Sequence, residues 1–443
     1  MADTYDLIIK GGTVWTTGGS AETDVAVRDG KIVEIGPVSG DAGEAIDAAG
    51  LTVLPGIIDS QVHFREPGNE HKEDLESGMR SAALGGVTAV FEMPNTNPLT
   101  VTPEAMADKL DRSKGRAWTD HAFFVGATPE NAEELPELER LPGCCGVKMF
   151  MGSSTGNLLV PDDENVRRVL SHGVRRVAVH SEDEYRLEER KGERVEGDPS
   201  SHPVWRDVET AMRCTTRLVG LARETGRRIH VLHITTADEV SFLAQHKDVA
   251  TCEVTPQHLT LAAPDCYEEL GTKAQMNPPI RDAHHRAGLW DGVVKGVFDV
   301  IGSDHAPHGA EEKAQAYPAS PSGMPGVQTT VPVMLDHVAK GRLTLARVVD
   351  LLCAGPQRIF NIAGKGRIAL GYDADFTLVD LKQTRAVEAD WLGYKCGWSP
   401  YEGMELTGWP VGTIVRGNIV MRDGELAADG QIGEPVRFNE TLG

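Results

Sequence analysis

The pattern of apolar and polar positions changes character twice along the chain. Residues 5–54 are short alternating runs broken by glycine turns: Leu7-Ile-Ile-Lys-Gly-Gly, Asp24-Val-Ala-Val-Arg-Asp-Gly30, Lys31-Ile-Val-Glu-Ile-Gly36 and Leu51-Thr-Val-Leu54. A period of two predicts half-buried strands, and Asp29-Gly30 between two such runs predicts a tight hairpin. The other end repeats this texture in Gly366-Arg-Ile-Ala-Leu, Ala374-Asp-Phe-Thr-Leu-Val-Asp380 and Gly412-Thr-Ile-Val-Arg-Gly-Asn-Ile-Val-Met-Arg-Asp-Gly424. Each half-sheet alone would leave an apolar face bare. The two ends are therefore expected to join as one small β-sandwich domain, residues 1–55 with 365–443.

Between them, over residues 56–364, short runs rich in β-branched residues alternate with longer helix-compatible segments. That is the pattern of repeated βα units around a parallel sheet. Eight candidate strands follow one another: Ile57–His63, Val87–Met93, Asp120–Gly126, Gly146–Phe150, Arg176–His180, Arg228–His233, Val249–Val254 and Phe298–Ser303. Eight in succession predict an α/β fold of the TIM-like (β/α)8 barrel type.

Charge and composition narrow the partners. A formal net charge of -22 over 443 residues argues against nucleic acid and anionic membrane. It leaves open a small anionic substrate, which responds to the local field of a pocket. Seven cysteines, with no CxxC pair, suit a reduced, cytoplasmic compartment better than a disulfide framework. No stretch is apolar for long enough to span a bilayer.

The candidate chemistry clusters at predicted strand ends. In Asp59-Ser-Gln-Val-His-Phe-Arg-Glu-Pro-Gly68, alternation puts Gln61, His63 and Arg65 on one face. Further along come Asn95 in Met93-Pro-Asn-Thr96, Lys148, His180, His233 and Asp304. A lone strand-end histidine is commonly a core or loop residue. Three of them, with a carboxylate, at the termini where barrels of this type do their chemistry point instead to a divalent metal, zinc by default and manganese or cobalt as alternatives. Lys148 is the anomaly, since a metal repels an ammonium. Either it reaches solvent or a substrate anion, or it is carboxylated by carbon dioxide into a bridging carbamate, the reading its flanking residues favour.

Several of these segments carry a resemblance. His63-Phe-Arg-Glu-Pro-Gly68, Met93-Pro-Asn-Thr96, Glu253-Val-Thr-Pro, Met276-Asn-Pro-Pro-Ile-Arg281 and Gly302-Ser-Asp-His-Ala-Pro-His308 resemble motifs of dihydroorotases in the amidohydrolase superfamily. Gly146-Val-Lys-Met-Phe150 and Gly323-Met-Pro-Gly-Val-Gln328 are similar instead to hydantoinase and dihydropyrimidinase relatives. The resemblance implies one or two zinc ions, with His63 and Asp304 on one, His180 and His233 on the other, and N6-carboxylated Lys148 joining them. It assigns Asp304 the catalytic proton transfers. Arg65, Asn95, Asn277, His308, Ser322 and Gly323 would bind a substrate carboxylate. The implied reaction interconverts L-dihydroorotate and N-carbamoyl-L-aspartate, a step of pyrimidine synthesis, in a homodimer.

Two departures stand against the family pattern. The first strand normally reads His-x-His, and this chain has Gln61-Val-His63. A neutral amide oxygen is a harder and weaker zinc ligand than imidazole. Three outcomes stay open: two metals with a weakened first site, one metal held mainly by His180, His233 and Lys148, or no stable metal. Gln257-His258 also replaces the usual His-His after Thr-Pro. An active dihydroorotase is favoured because the other ligands are intact. The alternatives are a dihydropyrimidinase or hydantoinase, and a silent homologue that scaffolds aspartate carbamoyltransferase.

Overall fold

The computed structural model describes residues 4–154 and 158–441. The N-terminal runs form β1 (Thr4–Thr16), β2 (Gly19–Arg28), β3 (Lys31–Gly36), β4 (Asp41–Asp47) and β5 (Thr52–Pro55). Between β2 and β3, Asp29 and Gly30 take positive φ of 51° and 68°, the backbone of a two-residue type I′ turn.

Eight strands then alternate with helices: β6 (Ile57–Val62), β7 (Val87–Glu92), β8 (Asp120–Gly126), β9 (Cys144–Phe150), β10 (Val177–His180), β11 (Ile229–Val231), β12 (Ala250–Val254) and β13 (Val300–Ile301). Each pairs in parallel with its neighbours in chain order. Each is buried along its whole length, because helices cover the outside and side chains fill the inside. All eight lie where the hydrophobic runs predict them. The last is cut to two residues because the chain beyond it turns to close the barrel. There Ser303 N donates to Asp59 Oδ1 at 3.0 Å, and His63 N donates to His305 O at 2.7 Å.

The C-terminal runs form β14 (Phe376–Ala386), β15 (Glu405–Val415), β16 (Asn418–Arg422) and β17 (Glu425–Leu426). β14 lies antiparallel to β5, with Phe376 opposite Pro55 and Leu378 opposite Val53. This pairing fuses the chain ends into one nine-stranded sheet, ordered β17-β16-β15-β14-β5-β1-β2-β3 with β4 alongside β1. The sheet folds over its own core of Leu7, Val25, Val53, Phe376 and Ile414. The C-terminal segment does not all stay with it: Tyr394 and Trp398 pack into the barrel core, and Val436 and Phe438 sit with Phe91 and Phe360 beneath the barrel.

A buried ion cluster joins the sheet to the barrel. Lys365 Nζ lies 2.5 Å from Asp120 Oδ2, 2.7 Å from Asp375 Oδ2 and 3.1 Å from Asp373 Oδ2. Arg416 also pairs with Asp120. All seven cysteines are buried thiols. Among the described residues no helix is long and apolar enough to cross a membrane.

Candidate active site

The C-terminal ends of the strands enclose a small cavity lined by Gln61, His63, Arg65, Lys148, His180, His233, Asn277, Asp304, Ser322 and Gly323, with Phe150, Ser154 and Ala306. Ten of the twelve predicted site residues therefore share one space. The remaining two, Asn95 and His308, stand directly behind it. Three lining residues hold left-handed backbone: Arg65 at φ 66°, His233 at 36° and Asp304 at 45°. For residues with a Cβ this conformation is strained, and it persists where surrounding structure over-determines it, as at functional sites.

The polar groups form two pairs. On one side His63 Nε2 lies 3.2 Å from Asp304 Oδ1, which also accepts from Gln61 Nε2 at 3.1 Å. His63 Nδ1 lies 2.8 Å from Asn95 Oδ1, so Asn95 orients the imidazole from behind. On the other side His180 Nδ1 and His233 Nε2 are 3.1 Å apart. Lys148 acts electrostatically on both pairs, with its Nζ 4.4 Å from the centroid of the Phe150 ring.

Burial dominates the protonation states. It lowers the Lys148 amine to about 7 against the pull of Asp304 and Glu253. It holds His63 and His180 below the usual imidazole value and His233 well below it, leaving neutral rings with lone pairs to offer. Arg65 is lowered to about 10 by the same desolvation.

The arrangement passes a simple test for a metal. His233 Nδ1 and Gln61 Oε1 are buried without a hydrogen-bond partner, a costly state for a lone pair unless something coordinates it. Neutral imidazoles, a carboxylate and an amine that is not held charged make a donor set for a borderline divalent ion. Among the described residues no three His, Cys, Asp or Glu side chains already converge at ligand distance; the donors stand as two halves. His63, Lys148, His180, His233 and Asp304 are the residues that could hold such an ion, with Gln61 beside them.

Several supporting residues escaped the sequence reading. Glu182 Oε2 accepts from His180 Nε2 at 3.0 Å and pairs with Arg206. Burial alone would raise its carboxyl, but Arg206 and His180 outweigh that and hold it at about 2. The spacing His180-Ser-Glu182 was the available signal, since alternate residues share a face. His202 Nε2 lies 3.0 Å from Asn277 Oδ1. His308 Nδ1 accepts from Lys72 Nζ at 3.2 Å, which leaves the ring proton on Nε2 for the Ser322 carbonyl at 3.0 Å. Trp398 Nε1 donates to His308 O at 2.9 Å. His305 Nδ1 accepts from Gly326 N at 3.1 Å and so fastens the loop that carries Ser322 and Gly323. His258 and Gln257 are structural: His258 Nε2 meets the carbonyl of Pro278 at 3.1 Å, and Gln257 Nε2 donates to Ser303 O at 2.7 Å.

Fold and site together define a class: a (β/α)8 barrel enzyme with imidazole, amine and carboxylate donors gathered at the strand C-termini. Comparison with known proteins gives the family. A model described as "Amidohydrolase family" matches residues 52–420. A dihydroorotase of Halobacterium salinarum is 37% identical over 414 residues, covering 90% of this chain and 95% of that protein. An allantoinase of Escherichia coli is 36% identical over 436 residues, covering 94% and 95%. The solved L-hydantoinase (dihydropyrimidinase) of Arthrobacter aurescens superposes with a TM-score of 0.92 at 30% identity, over 98% of this chain and 99% of that one. The chain belongs to the amidohydrolase family.

Proposed function

We propose that this enzyme is a dihydroorotase, catalysing the reversible hydrolysis of L-dihydroorotate to N-carbamoyl-L-aspartate. The observation that carries the reading is Arg65. Its guanidinium is buried at the cavity wall, and its side-chain contacts are the Pro307 carbonyl at 3.2 Å and His308 at 3.3 Å, with no carboxylate in ion-pair reach among the described residues. A buried cation without an acid partner suits a substrate that brings its own carboxylate. Asn277 and the backbone at Ser322 and Gly323 flank the same space.

His63, Lys148, His180, His233 and Asp304 would hold one or two zinc ions. When bound, the metal supplies a water acidified to a pKa of about 7 and polarises the scissile carbonyl. Lys148 suits carbamate formation because its amine, lowered to about 7, is roughly half neutral near that pH; the neutral nitrogen adds to carbon dioxide and releases a proton. Asp304 takes the proton of the attacking water and delivers it to the departing ring nitrogen. Its bond from Gln61 and its contact with His63 aim the carboxylate. Arg65 fixes the ring by its carboxylate, so the amide is presented in one orientation. A cytoplasmic homodimer that associates with aspartate carbamoyltransferase completes the proposal.

A second reading is a hydantoinase or dihydropyrimidinase, favoured by the close superposition on L-hydantoinase. The test supplies purified protein with zinc and bicarbonate and follows L-dihydroorotate, N-carbamoyl-L-aspartate, hydantoin, dihydrouracil and allantoin. Turnover of the first two that disappears in Asp304→Ala supports the proposal. Turnover confined to the neutral rings overturns it. Activity that appears only with Gln61→His identifies a silent homologue.

A further inference from the structure

A second cavity of ≈ 230 Å³ opens at the opposite end of the barrel, with almost wholly polar walls. Four arginines line it: Arg175, Arg176, Arg228 and Arg358. The topology gathers them. Arg175 and Arg176 immediately precede β10, and Arg228 immediately precedes β11. Arg358 lies on the helix Gly355–Phe360, whose Phe360 packs edge-on against Phe91 and Phe124 at the barrel floor. Because β10 carries Arg176 before its first residue and His180 at its last, roughly 13 Å of extended chain separate this cavity from the candidate active site.

Two of the four guanidiniums, Arg176 and Arg228, have no carboxylate at ion-pair distance among the described residues. Arg175 is engaged with backbone carbonyls, among them Glu139 O at 2.8 Å and Cys145 O at 2.9 Å. Arg358 pairs with Asp350 at 2.7 Å, an acid it shares with Arg347. Among the described residues Arg176 donates to the carbonyls of Ile359 and Ile229, both at 3.4 Å. Arg228 is exposed and, among the described residues, has no carboxylate within 4 Å. Asp299, the acid that acts on Arg176, is taken by Lys247. Among the described residues no acidic side chain lines the cavity. Burial, and then the neighbouring Arg228, push Arg176 down to about 10. In a protein with a net charge of -22 this concentration of positive charge runs against the general balance.

We propose that this cavity is an anion site for a small diphosphate-bearing ligand. Guanidinium forks converging from three chain segments match an anion with several oxygens and more than one charge. The volume lies below that of pockets for drug-sized organic ligands. Phe360, the aromatic residue of the lining, is only 4% exposed, so there is no open ring face on which a base could stack. The ligand is recognised by its phosphates.

The test titrates inorganic pyrophosphate into the full-length protein by calorimetry at low ionic strength. Saturable binding of one pyrophosphate per chain is expected, weakening by about tenfold or more in Arg228→Gln/Arg358→Gln and falling with added salt. Both side chains are surface-exposed, and the single variant Arg228→Gln, which breaks no ion pair, should show the same direction. Arg65→Met should bind pyrophosphate like the parent, which separates this cavity from the catalytic mouth. Absence of saturable binding overturns the proposal. So does equal affinity in parent and double variant, or inorganic phosphate binding as tightly as pyrophosphate.

Discussion

Gln61 Nε2 donates to Asp304 Oδ1 at 3.1 Å, in the half of the site where His63 also meets that oxygen. The amide thus turns a donor toward the carboxylate and leaves its own Oε1 buried without a partner. An imidazole in its place would offer a lone pair to a metal. Gln61→His is expected to raise the metal retained per chain after dialysis, with affinity in this half tighter by roughly tenfold. Elemental analysis checks this; unchanged content would mean that the Gln61 carbonyl already serves as the ligand.

Arg65 should decide between ring substrates. Losing a charge-assisted bond to a substrate carboxylate costs about 1.5–3 kcal/mol, so Arg65→Met should lower kcat/KM for L-dihydroorotate by roughly 10- to 150-fold, chiefly through KM. A neutral ring such as hydantoin has no carboxylate to lose, and its kcat/KM should change far less. Steady-state kinetics on both substrates read the ratio.

Glu182 orients His180 from the side away from His233. Removing such a partner weakens metal affinity by roughly 10- to 100-fold. Glu182→Gln keeps the shape and loses the charge, and should release its metal to a chelator correspondingly more readily, measured as bound metal against chelator concentration.

Lys365 faces Asp120, Asp373 and Asp375 together, each of the four less than 5% exposed. Removing one member of a buried ion pair costs about 3–5 kcal/mol. Lys365→Met should be destabilised by that order in denaturant unfolding, with little change in the active-site chemistry at the other end of the barrel.

The same cluster predicts a response to acid. Burial would raise Asp120, but Lys365 and Arg416 outweigh it and hold the carboxyl below its usual 3.8. A depressed carboxylate contributes stability that is present above the unfolded value of about 3.9 and is lost as pH falls through the folded one. Asp375 is shifted the other way, raised chiefly by burial, and its contribution no longer changes below the unfolded value. The stability gap between the parent and Asp120→Asn should therefore shrink as pH falls below about 3.9, followed by thermal unfolding at a series of pH values.

The fold was legible because its signals are local. β-branched runs at regular spacing gave eight barrel strands, and Asp29-Gly30 gave its turn. Strand ends gave His63, Lys148, His180, His233 and Asp304, because barrel topology turns scattered positions into neighbours. What stayed hidden is non-periodic or depends on contacts between distant segments. Tyr394 and Trp398 come from a stretch without strand or helix periodicity, and only the folded chain shows Trp398 supporting the His308 loop. Asn95 is expected to face substrate, and the contact of its Oδ1 with His63 Nδ1 is a further relationship that only the folded chain shows. The arginine cavity was equally illegible: three of its arginines precede two different strands and the fourth sits on a C-terminal helix.

The pairing of β5 with β14 sets Thr377 opposite Leu54, and beside it Ile57 N donates to Thr377 Oγ1 across 320 residues of chain. During synthesis the N-terminal strands must wait, with an unsatisfied edge, until the whole barrel and its last helices have left the ribosome. Long-range pairing of this kind slows folding and prolongs the exposure of strand edges. Truncation before β14 would leave β5 as an open template for aggregation, and would also strip the barrel of Tyr394, Trp398, Val436 and Phe438, which pack against it from the C-terminal segment.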